Sequence, residues 1–148
     1  MTRDEIAHAL GPGLVRLSAP LVFAKLVVRD TLPNQRVAGR PFVALLQLAT
    51  PAERLAQVLV QYPGRFPMLG DFHAVRGELA KQYGAPEESH AETDYRGSFP
   101  SYWIEAAWRF PTTEIHLRYT DPNADVESGE RKRFVIRYSP GAAASYRG

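Results

Sequence analysis

Three segments in the second half of the chain alternate apolar and polar residues with a period of two, and this pattern constrains the fold more than any other feature. Tyr102 to Phe110 puts Tyr102, Ile104, Ala106, Trp108 and Phe110 on one side and Trp103, Glu105 and Arg109 on the other. Glu114 to Thr120 sets Ile115, Leu117 and Tyr119 against Glu114, His116 and Arg118. Arg133 to Ser139 sets Phe134, Ile136 and Tyr138 against Arg133 and Arg137. Successive side chains of a strand point to opposite faces of its sheet. Such alternation predicts an antiparallel sheet with one buried and one wet face.

The first half supplies more strand material. Leu21 to Arg29 is β-branched and reads as a strand, and residues 30–41 read as a turn-rich loop. Phe42 to Ala49 is a largely apolar run, followed after Thr50-Pro51 by Leu55 to Tyr62, and the two predict a hairpin. Two helices are expected. Thr2 with Glu5 three residues on forms a capping box for a helix that Gly11-Pro12-Gly13 stops. Asp71 reads as the N-cap of a second helix, with Phe72, Val75, Leu79 and Tyr83 as one apolar stripe and Gly84 and Pro86 as its stop. Residues 85–100 read as a long polar loop. The fold class expected is therefore α+β, an antiparallel sheet with two helices packed on one face. The order is α-βββ-α-βββ, which divides residues 1–148, a single domain, into pseudo-repeats 1–65 and 66–139 and a small polar tail, 140–148. At 148 residues, 45% of them hydrophobic, the chain is long enough to bury a core without staples.

Composition excludes several function classes. No cysteine is present, which removes thiol nucleophiles, thiolate metal sites and disulfides. Eighteen basic against sixteen acidic residues leave a net charge of +2. That balance, with Arg131-Lys132-Arg133 as the only tight basic cluster, disfavours a dedicated nucleic-acid binder. No apolar run approaches the 18 or so residues of a membrane span. The start lacks a signal-peptide pattern, so the chain as written reads as cytoplasmic, or periplasmic if a leader was trimmed.

Catalytic motifs are equally sparse. The four histidines, His8, His73, His90 and His116, form no close pair or HExxH, so no metal site is assigned. Asp121-Pro122-Asn123-Ala124-Asp125 has the alternating start of a calcium loop, but Val126 stands where glycine is needed and Lys132 where the bidentate glutamate belongs. Gly11-Pro12-Gly13 follows a helix rather than a strand, so it is not a phosphate cradle. No catalytic residue and no cofactor is expected.

Aromatic density is the positive signal. Trp103 faces the polar side of its strand, where it either anchors a partner or packs under the 85–100 segment. The partner-binding residues expected are Tyr95, Phe99, Trp103, Arg109, His116 and Arg118, because Trp, Tyr and Arg dominate interface energetics. The partner expected is another protein. A small apolar ligand held between a curved sheet and its helices is the alternative, with His73, Arg76 and Tyr83 as its polar groups.

The opening Met1-Thr2-Arg3-Asp4-Glu5-Ile6 helix with its Leu10-Gly11-Pro12 stop resembles the BamE/SmpA type of bacterial envelope domain. The spacing Phe72-x-x-Val75-x-x-x-Leu79-x-x-x-Tyr83-Gly84-x-Pro86, followed by Trp108 and a hairpin, is similar. The doubled arrangement resembles the tandem architecture of β-lactamase inhibitor proteins, whose cysteines this chain lacks. The resemblance covers about thirty positions. It implies a non-enzymatic, envelope-associated or inhibitor/immunity-type protein that presents a sheet surface to another protein.

Overall fold

The computed structural model describes residues 1–64, 66–96, 100–122 and 131–141. Chain order is α1 (Arg3–Leu10), a short 3-10 turn, β1 (Val15–Phe23), β2 (Leu26–Val37), β3 (Arg40–Ala49), β4 (Arg54–Gln61), α2 (Leu69–Tyr83), β5 (Glu88–Asp94), β6 (Ser101–Arg109), β7 (Thr113–Asp121) and β8 (Arg133–Pro140). All eight strands belong to one sheet of order β1-β2-β3-β4-β8-β7-β6-β5. Every pairing is antiparallel. Two four-stranded meanders therefore meet where the last strand of each, β4 and β8, pair over Val58–Gln61.

This architecture corrects the expected α+β class of two helices packed on one face. The described residues form a single eight-stranded antiparallel sheet with two short helices. Among the described side chains of α1, only Ile6 is buried, in a small cluster with Val27, Leu46 and Leu48. A helix of eight residues with one buried anchor is not a layer. Only α2 lays a stripe on the sheet, through Phe72, Val75 and Leu79. The α-βββ unit is corrected as well, because each helix precedes four strands.

The physical reasons lie in strands that lack alternation. The segment expected as one strand over 21–29 is a hairpin that turns at Ala24, whose φ is +51°. The expected loop over 30–41 is the rest of β2, a turn at Ala38-Gly39 (φ +52° and +74°) and the start of β3. Register shifts after Val28 and after Leu32 break its periodicity. The expected polar loop over 85–100 contains β5, an edge strand wet on both faces, so neither face needs apolar residues.

Helix starts follow local chemistry. The Thr2 hydroxyl accepts from the Glu5 amide at 3.4 Å and the Glu5 carboxylate from the Thr2 amide at 3.2 Å. In α2 the cap position is Met68 rather than Asp71. Asp71 sits three residues in, where its carboxylate accepts the Met68 amide at 2.7 Å and lies 3.1 Å from Arg40 Nε on β3.

The main core lies between α2 and one face of the sheet. Phe72, Val75 and Leu79 meet Phe42, Ala44, Val60, Ala106, Trp108, Leu117, Phe134 and Ile136. Trp108 is fully buried, and its indole N–H donates to the Gly84 carbonyl at the end of α2, at 2.9 Å. On the opposite face the first meander buries Val28, Leu45 and Leu59, with Leu17 and Val43, and Val135 from β8, packed on them. In the second meander that face is polar and aromatic.

Candidate functional site

The outer face of β5–β8, opposite α2, collects most of the residues expected to bind a partner. Alternation fixes which side chains reach it, and register fixes their rows. Glu92, Trp103, Thr120 and Arg133 form one row across the four strands; His90, Glu105, Arg118 and Val135 form the next; Glu88, Ala107, His116 and Arg137 form the third. Arg109 and Glu114 pair beyond them.

Trp103 is the centre of this surface. The Arg118 guanidinium stands 4.7 Å from the centroid of its ring system. The His90 ring lies 5.0 Å away at a 36° tilt. The indole is half-buried by these neighbours and by its place in the sheet. Glu105 holds Arg118 at 3.5 Å, and the same carboxylate oxygen lies 2.9 Å from His116 Nε2. Arg109 is clamped between Glu88, with one nitrogen–oxygen contact at 3.0 Å, and Glu114, at 3.6 Å. The Arg109 hydrogen bond holds the Glu88 carboxyl below its ordinary range, and the Arg109 charge adds to it.

Of the six residues expected, Trp103, Arg109, His116 and Arg118 share this face. Tyr95 follows the end of β5 and is 76% exposed. Phe99 lies outside the described residues. Sequence reasoning missed His90, Glu105 and Glu88, the groups that orient Trp103, Arg118 and Arg109. Reading β5 as loop hid His90 and Glu88. Alternation puts Glu105 on the outer face, but its role depends on cross-strand register.

An imidazole beside a carboxylate is half of a nucleophile-activating system. The direct cross-strand neighbours of His116 are Ala107 and Arg137, so no hydroxyl or thiol faces it there. Among the described residues, no group of three or more His, Asp or Glu side chains could hold a metal ion. The calcium-like pattern beginning at Asp121 continues outside the described residues. No helix among the described residues is long and apolar enough to cross a membrane.

The three polar groups considered for a cavity under the helices do not converge there. His73 and Tyr83 are exposed, Arg76 is half-buried, and Tyr83 packs on Phe110 at 5.5 Å. The space beneath α2 holds Trp108, Phe42 and Phe134 instead.

The chain matches no protein-family model, no curated protein and no solved structure.

Proposed function

We propose that this protein is a non-enzymatic protein-binding module whose contact surface is the outer face of β5–β7. The observation that carries the reading is the braced Trp103, flanked by Arg118 and His90 in a fixed arrangement. Trp and Arg are the residue types that most often carry interface energy. Holding them in place before contact reduces the ordering cost of association. Exposed Tyr95 stands at the margin as an adaptable contact. The resemblance of the Met1–Pro12 and Phe72–Pro86 motifs to BamE/SmpA-type envelope domains supports an envelope-associated role.

The test is native mass spectrometry of the protein purified from its own source, alongside Trp103→Ala and Arg118→Ala variants. A partner protein of defined mass is expected with the parent chain. The Trp103→Ala variant is expected to retain at least tenfold less of it, as loss of a hot-spot residue does. A partner held equally by both variants would overturn the assigned surface, and a small-molecule adduct without a protein would overturn the binding-module reading.

A further inference from the structure

A second concave site lies two strands from Trp103 along the same cross-strand row, at the end of the sheet where β4 leaves and β8 enters. Phe23 from the tip of the β1–β2 hairpin, Gln61 and Tyr62 from the end of β4, and Arg131 to Val135 line a solvent-open cavity of about 490 Å³. That volume falls within the range of small-molecule sites, roughly 300–1,000 Å³. The charged side chains that line it are all basic. Lys132 is engaged by Asp121 at 3.7 Å. Arg131 and Arg133 are exposed and have no ion-pair partner among the described residues. They contrast with Arg109 and Arg118, each held by a glutamate. Phe23 and Val135 give the cavity apolar wall, and the Gln61 amide adds a neutral donor and acceptor.

Guanidinium groups present donors in a planar fork that matches the paired oxygens of phosphate and carboxylate. Two of them beside an apolar wall suit a ligand that joins an oxyanion to a hydrophobic body. We infer that the cavity bounded by Phe23, Gln61, Tyr62, Arg131, Arg133 and Val135 is an oxyanion site for such a ligand, a phosphate monoester or a carboxylate carried on an apolar group. The inference rests on the lining of this cavity and not on a partner at Trp103, although Arg133 shares the Trp103 row.

Titration of the full chain with phenyl phosphate, benzoate and inorganic phosphate, followed by calorimetry and amide NMR shifts, tests it. At low salt, phenyl phosphate or benzoate is expected to bind more tightly than inorganic phosphate, with shifts centred on residues 61–62 and 131–135. Tighter phenyl phosphate assigns a phosphate monoester, and tighter benzoate assigns a carboxylate. The Arg131→Gln/Arg133→Gln double variant is expected to lose at least tenfold in affinity. Arg137→Gln, which removes one exposed charge of β8 outside the cavity, is expected to change it less than twofold. No binding of either aromatic probe at 10 mM, roughly the limit of a useful small-ligand site, would overturn the inference. So would a loss per charge removed that is as large in Arg137→Gln as in the double variant, which would show only general attraction to a basic surface.

Discussion

The two tryptophans stand on opposite faces of one strand, and their replacement by phenylalanine measures that placement. Trp108 is 1% exposed. Trp108→Phe keeps an aromatic ring but deletes the pyrrole ring and its N–H. The lost volume, roughly 40 Å³ at about 24 cal/mol per Å³ of cavity, contributes about 1 kcal/mol. The donor to the Gly84 carbonyl also disappears. Gly84 is itself exposed, so water replaces part of that bond, and the low end of the range for an unsatisfied group applies, about 1 kcal/mol. The sum is a destabilisation of about 2 kcal/mol. Trp103→Phe retains a ring face for Arg118 and leaves no core cavity, so its cost stays below about 1 kcal/mol. Urea unfolding followed by far-UV circular dichroism reads both, with the slope m expected to stay constant. If Trp108→Phe costs no more than Trp103→Phe, the assignment of buried and wet faces is refuted, and the proposed contact surface falls with it.

Two further outcomes follow from local geometry. A Cβ at Gly141 would stand 2.5 Å from the Phe110 carbonyl, 2.7 Å from that of Pro111 and 2.8 Å from the Thr113 amide nitrogen. All three are backbone atoms of the β6–β7 turn, so Gly141→Ala is expected to cost about 1–3 kcal/mol in the same unfolding assay, as overpacking does; a neutral result would refute the close approach. Arg96 donates side-chain and backbone hydrogen bonds to Asp94 and holds its carboxyl at about 2. An NMR titration should find that midpoint in the parent chain, and in Arg96→Ala a rise toward the ordinary carboxylate range near 4. The sign at Glu88 is the same: its lowered value means that the link to Arg109 is complete above the unfolded pKa and lost as pH falls through the folded one. Arg109→Ala should raise the Glu88 midpoint, and an unmoved midpoint would refute the clamp.

How much the sequence reveals depends on whether an element has one buried face. β6, β7 and β8 each have one, so alternation alone located Trp108, Leu117 and Ile136 in the core and Trp103, His116 and Arg118 outside it. The helix α2 was equally visible through Phe72, Val75 and Leu79. β5 has no buried face and left no periodic signal, so Glu88 and His90 passed as loop residues. In β2 the register shifts reset which residue faces the core, so part of a twelve-residue strand resembled a turn.

Local pattern also could not decide how the halves join. The β4–β8 pairing brings together residues more than seventy positions apart, and that contact turns two meanders into one continuous sheet. By itself the sequence determined period, face and helix stops, because these depend on near neighbours along the chain. Only the tertiary structure decided strand order, the grip of Glu105 on His116 and Arg118, and the cavity between Phe23 and the start of β8. Those features arise from cross-strand register and from the closure of distant segments on each other, which no local repeat encodes.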